Sequence, residues 1–288
     1  MQLQLFRSLW TTSGDVGVAL ADVGSGGFDG IEGPVPLEPA ARRRFLAELG
    51  DVPLIAEICT GGDYVPDFGL SPARHIDDFR RKTEAALEAR PRFLTVLAGS
   101  DAWSLAQSVE FFGAAMAIAA ELGIAANFET HRSRSFFHPW TTRDVLAQLP
   151  DLWLTGDFSH WCCVTERLIL DHEPQLLALF AARTRHLHGR IGYEQGAQVP
   201  HPAAPEYRDA LAAHERWWDA VWNAQEAGGA ALVTMTAESG PDGYLHTMPF
   251  TNMPVADLGE INRWMAVRQR KRFTARDDKA AFPTAPRA

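Results

Sequence analysis

Short apolar runs recur eight times along the 288 residues, at 2–9, 28–34, 53–60, 93–99, 125–130, 152–158, 184–191 and 231–238. Each is rich in Leu, Ile, Val and Phe and bounded by Gly, Pro, Asp or Ser, the signature of a buried strand. Helical patterns lie between them, at 15–23, 38–49, 76–89, 103–122, 142–148, 174–182, 207–227 and 255–271. In the third of these, Ile76, Phe79, Thr83, Ala86 and Leu87 fall on one side of a helix. Eight strands alternating with eight helices predict an α/β fold, a parallel (β/α)8 TIM barrel. The rival is an open doubly wound sheet, which ordinarily opens its first helix with a Gly-rich phosphate turn. Here the first strand runs into Ser8-Leu9-Trp10-Thr11, and Gly24-Ser25-Gly26-Gly27 precedes a strand instead of opening a helix. No composition shift divides the chain. We expect one barrel domain over 1–274 and a flexible C-terminal tail over 275–288, where periodicity fades.

In such a barrel the C-terminal strand ends converge on one mouth, where active sites form. The last four strands carry Glu129, Asp157, His188 and Glu238 near those ends, one per strand. A single acid at a strand end ordinarily caps a helix or lies solvated on the rim, and a single strand histidine is ordinarily a satisfied core residue. Three carboxylates and an imidazole converging together are different, because they repel one another unless a cation joins them. The O3N donor set suits Mn2+, Mg2+ or Co2+, and Zn2+ also fits. Period-2 geometry puts His131 on the face of Glu129, and His186 and Arg190 on the face of His188. His160 lies one turn beyond Asp157. Seven of the ten histidines (131, 138, 160, 186, 188, 201 and 246) fall in or after strands five to eight.

The first half of the chain offers Arg7, Glu32 and Glu57 at strand ends, either to bind substrate hydroxyls or to form ion pairs over the core. Two long segments, 192–206 and 240–254, are expected to be lids; they carry Tyr193, Glu194, Gln195, His201, Tyr244, His246 and Phe250. Aromatic and amide groups there suit a small sugar or polyol. Trp218 and Trp222, four apart on the seventh helix, are expected in the core or at a subunit contact, and Cys162-Cys163 in packing.

The order Glu129, Asp157-x-x-His160, His188, Glu238 resembles the xylose isomerase-like barrel superfamily over residues 1–271. That group includes sugar phosphate isomerases/epimerases, ketose 3-epimerases, inosose and dehydroshikimate dehydratases, and endonuclease IV-type nucleases. The resemblance implies that Glu129, Asp157, His188 and Glu238 ligate a divalent metal and that His160 and Arg190 contact substrate. It also implies that Glu129 and Glu238 double as a catalytic acid/base pair, as in the ketose epimerases. Homo-oligomerisation is implied by the resemblance alone. With His131, Glu57 and His246, His160 and Arg190 complete the set of expected substrate contacts.

Three features narrow the chemistry. Only three of the 27 basic residues are lysines, Lys82, Lys271 and Lys279, and none ends a strand. That opposes a Schiff-base aldolase and the lysine-assisted hydride shift of authentic xylose isomerases. A formal charge of −9 opposes a phosphate-backbone binder. The third and fourth strand ends, Glu57-Ile58-Cys59 and Gly99-Ser100-Asp101, also lack the histidines of the three-zinc nucleases. The apolar stretch 111–126 is too short and carries Glu121, so no membrane span is expected. An odd cysteine count without CxxC spacing and the lack of a signal peptide suit the cytoplasm. The expected function is a metal-dependent sugar isomerase or epimerase acting by proton transfer through an enediolate. The alternatives are a dehydratase or lyase on the same site and, behind it, a non-catalytic sugar- or protein-binding barrel.

Overall fold

The computed structural model describes residues 1–25, 27–241 and 243–281. Eight parallel strands close into one barrel in sequence order: β1 (Gln2–Ser8), β2 (Gly30–Pro34), β3 (Leu54–Cys59), β4 (Leu94–Leu97), β5 (Ala126–Glu129), β6 (Trp153–Gly156), β7 (Thr184–Gly189) and β8 (Leu232–Ala237). Closure is made by β1 against β8, from Gln2 opposite Leu232 to Arg7 opposite Ala237. Around it lie α1 (Val16–Gly24), α2 (Pro39–Leu49), α3 (Pro72–Leu87), α4 (Leu105–Glu121), α5 (Pro139–Gln148), α6 (Ser159–Thr165), α7 (Ile169–His172), α8 (Pro174–Arg183), α9 (Arg208–Ala227) and α10 (Leu258–Ala281). Every expected strand and helix is present. The short helices α6 and α7 are additional.

Local sequence explains the helix starts. Ser71 caps α3 with Pro72 in its first turn, and Ser104 forms a capping box with Gln107 at the start of α4. Outward strand residues pack against the helices in one large core that includes Phe79, Phe112, Phe128, Trp161 and Trp217. Trp218 and Trp222 are fully buried in that same core. The end of the chain departs from expectation: α10 continues to Ala281, seven residues into the segment expected to be a tail. The rest of the expected tail, 282–288, lies outside the described residues. All three cysteines are free, and no described helix is long and apolar enough to cross a membrane.

The barrel interior is polar where it approaches the mouth. Thr95 and Thr155 face each other across it at 3.2 Å. Glu32, His186, His188, Thr234 and Thr236 form a hydrogen-bonded cluster further round. Buried polar groups of this kind are tolerated because they satisfy one another.

Candidate active site

Glu129 ends β5, Asp157 follows β6, His188 lies in β7 and Glu238 follows β8, so the barrel register delivers all four to the same height. One donor atom from each lies within 4.8 Å of the other three, and all four residues are buried. His188 Nδ1 is 2.9 Å from Glu238 Oε2 and 3.7 Å from Glu129 Oε1. The Ser159 backbone N–H donates to Asp157 Oδ1 at 3.0 Å, and the Ser159 hydroxyl donates to the same atom at 2.5 Å. Ser159 thus fixes the carboxylate plane from the first residue of α6.

Burial and mutual repulsion shape the charges here. Burial pushes the Glu129 carboxyl up against the pull of His188. Burial also raises Glu238, to about 7, with Arg190 and His188 opposing it. On Asp157 burial acts the same way, but Arg190 and His160 outweigh it and hold the carboxyl well below its ordinary value. Burial would make the His188 imidazole less basic, yet Glu238, Glu32 and Glu129 surround it and hold it well above its ordinary range.

The donor set fits a divalent cation. His188 Nδ1 and Glu238 Oε2 are buried and neither has a hydrogen-bond partner, although they lie close together. An imidazole nitrogen and a carboxylate oxygen converging at 2.9 Å are the arrangement that co-ligands of one ion adopt, once the ion displaces the proton that the carboxylates otherwise hold on the ring. Arg190 Nη2 contacts Asp157 and lies 3.4 Å from Glu238. Three carboxylates against one guanidinium leave two negative charges when the imidazole is neutral, which a divalent ion cancels. A second donor group, Glu129 with His131 and His160, shares one carboxylate with the quartet. It brings one carboxylate to the site against the quartet's three, so it neutralises a divalent cation less well.

Two of the quartet, Glu129 and Glu238, line a cavity of about 470 Å3 together with Glu57, His131, Arg190 and Tyr244, while Asp157, His188 and the expected substrate contact His160 lie behind its wall. The His131 and His160 rings lie tilted at 53° with centroids 4.0 Å apart, and His131 Nε2 lies 3.4 Å from the Tyr244 hydroxyl. Burial holds His160 at about 4, so its ring is neutral near neutral pH, and its Nδ1 has no partner. Arg190 also stacks under Tyr244 at 4.5 Å. Its fork is occupied by Asp157, Ser159 and His160, so it acts on the quartet as well as facing the cavity. Glu57 reaches the cavity with no hydrogen-bond or ion-pair partner among the described residues, and burial, Glu129 and Glu32 raise its carboxyl well above the usual range.

Other expected residues lie elsewhere. His246 is not among the cavity-lining residues; it sits 6.5 Å from the Tyr193 ring, half-buried in its own loop. The strand alternation turns Arg7 outward to pair with Asp22 at 2.8 Å, because Ser8 is the inward residue. Glu32 is internal, bonded to His186 and His188. The segment 192–206 folds back beside the barrel: Gln198 bonds the backbone of Gly240 through both amide atoms, at 2.8 and 3.2 Å. It braces the 240–254 loop, and of the two only that loop reaches the cavity, through Gly240, Pro241 and Tyr244. The sequence reading missed Trp10, Pro34, Asp63 and Tyr64, which line the opposite wall. The turn Gly61-Gly62-Asp63-Tyr64 directly after β3 was the available signal.

No family model and no curated protein matches the sequence. Solved structures do match the fold. A D-allulose 3-epimerase from Methylomonas sp. is 15% identical with TM-score 0.58, covering 94% of this chain and 97% of its own. Endonuclease IV from Thermus thermophilus is 13% identical with TM-score 0.58, covering 96% and 100%. A probable 3-DHS dehydratase from Bacillus anthracis is 16% identical with TM-score 0.54, covering 93% and 98%. At such identities the likeness carries the fold and leaves the reaction to the site. The chain has the closed (β/α)8 barrel fold that these structures share.

Proposed function

We propose that this protein is a divalent-metal-dependent isomerase or epimerase of a small sugar, keto-sugar or polyol, working by proton transfer. The observation that carries the reading is the convergence of Glu129, Asp157, His188 and Glu238 within 4.8 Å, with Glu129 and Glu238 lining the cavity and His188 Nδ1 and Glu238 Oε2 unpartnered. When bound there, the ion supplies Lewis-acid polarisation of a substrate carbonyl, which acidifies the neighbouring C–H. Glu129 and Glu238 approach from strands three apart and are the proton-transfer pair. One takes the proton from carbon as the enediolate forms, and the other returns a proton to the opposite face. Asp157 stays ionised and does not share in the transfer. Arg190 and Tyr244 line one side of the cavity, and the His131 ring faces it where it can meet substrate hydroxyls, with His160 packed behind it. A cavity of about 470 Å3 suits a small sugar.

One observation favours dehydration as a second reading. Glu57 lines the cavity, and burial with Glu129 and Glu32 nearby makes its carboxyl a weaker acid than usual and so a better proton donor. If its proton goes to a hydroxyl β to the carbanion, water leaves instead of the carbon being reprotonated. A non-catalytic barrel is disfavoured, since a sugar-binding surface has no use for two unpartnered, buried ligand atoms.

Solvent deuterium incorporation, followed by NMR across ketoses, inososes and keto-glycosides with Mg2+, tests the reading. We expect metal-dependent exchange at a carbon next to a carbonyl, with the product separating epimerisation, isomerisation and dehydration. Glu129→Gln and Glu238→Gln should each reduce exchange by roughly 100-fold or more. Full exchange in both variants would remove the acid/base assignment.

A further inference from the structure

The fully buried Glu32 is used by neither the quartet nor the cavity, yet it touches the quartet's only nitrogen ligand. Its two carboxylate oxygens lie 3.1 and 3.2 Å from His188 Nε2. It also accepts from the Thr236 hydroxyl, and lies 3.2 Å from His186 Nε2. The opposite nitrogen of the His188 ring, Nδ1, is the unpartnered atom 2.9 Å from Glu238. The two edges of one imidazole therefore have different tasks. A carboxylate on Nε2 keeps a hydrogen there, so when an ion displaces the proton on the other edge it is the Nδ1 lone pair that faces the site.

We infer that Glu32 is the positioning residue of this centre: it fixes the His188 tautomer and ring plane and strengthens Nδ1 as a ligand. The inference rests on the proposed metal site and adds a residue from the opposite end of the chain. Glu32 stands on β2 and His188 on β7, and the carboxylate reaches its partner through the barrel interior. Its own orientation is over-determined. Thr236 is paired in register with His188, and Thr234, which faces His186 Nδ1 at 2.7 Å, is paired with His186. Sliding β7 against β8 would break both contacts. The surrounding donors also answer a competing reading, in which Glu32, His186 and His188 hold a second ion. Each of the three already spends its inward-facing atoms on hydrogen bonds, so no lone pair converges on an open point.

The test is metal affinity, measured by equilibrium dialysis with Mn2+ and with Zn2+, on wild type and Glu32→Gln. The amide keeps the shape and an acceptor oxygen but removes the charge. We expect one ion per chain in the wild type and a 10- to 100-fold weaker affinity in the variant, with circular dichroism unchanged. Equal affinity would overturn the role of Glu32 while leaving the metal reading intact. Loss of a second bound equivalent would overturn it in favour of a metal ligand. A wild type that binds none of Mg2+, Mn2+, Co2+ or Zn2+ would overturn the metal reading itself. Should Glu32→Gln fail to fold, 15N NMR of the Zn2+-loaded wild type decides, with His188 assigned by its loss in His188→Asn. A ring protonated on Nε2 with Nδ1 coordinated supports the role, and a ring protonated on Nδ1 overturns it.

Discussion

Glu57 shows how a single side chain carries both a functional and a stability consequence. Its carboxyl faces the cavity without a partner, and burial beside Glu129 and Glu32 makes it a weak acid. In the unfolded chain the same group titrates near 4.5. Between that value and its higher folded value the native state holds the proton more tightly, so this group's contribution to stability falls as pH rises. Glu57→Gln removes the contribution. In metal-free protein, urea unfolding should show the variant gaining on the wild type as pH is raised from about 4 to about 8. A constant difference across that range would mean that Glu57 is ionised in the native state. The residues legible from sequence alone were those with a local cue: Glu129, Asp157, His188 and Glu238 each end a strand, and His131 follows Glu129 by two. Glu32 was visible as a strand-end acid, but its partner was not. The contact with His188 joins residues 156 apart, and only the closed barrel sets them face to face.

At the scale of elements, the β7 loop depends on a close approach. A Cβ on Gly192 would lie 2.4 Å from the Ser159 carbonyl oxygen and 2.7 Å from its Cα. Those are backbone atoms of the first residue of α6, the residue that holds Asp157. Gly192→Ala must push the two segments apart. It should destabilise the fold by about 1–3 kcal/mol in urea denaturation and lower activity by disturbing Asp157. Unchanged stability would mean the loop moves freely. Every strand and long helix could be read from periodicity, because burial on the barrel imposes it. The helices α6 and α7 could not, since seven and four residues are too few to show a helical period. The role of 192–206 was misread for a related reason. Length and prolines suggest a lid, whereas the hydrogen bonds from Gln198 to Gly240 that make it a brace depend on where β8 ends.

For the whole molecule, the governing fact is that β1 pairs with β8, so the barrel closes only when its two ends meet. Glu32 and Glu238 are 206 residues apart in sequence and work on one imidazole from its two edges. Contacts of such separation form late, after the cost of closing a long loop has been met. We therefore expect the site to be unformed in the folding transition state. Added Mn2+ should therefore slow unfolding while leaving the refolding rate unchanged, as stopped-flow tryptophan fluorescence would show. Refolding accelerated in step with metal concentration would mean that the ligands gather early. The same closure has a meaning for biosynthesis. A chain still emerging from the ribosome presents Glu129, Asp157 and His188 without the eighth strand that completes them. An ion that used the proposed quartet would therefore have to wait until β8 has emerged and paired with β1.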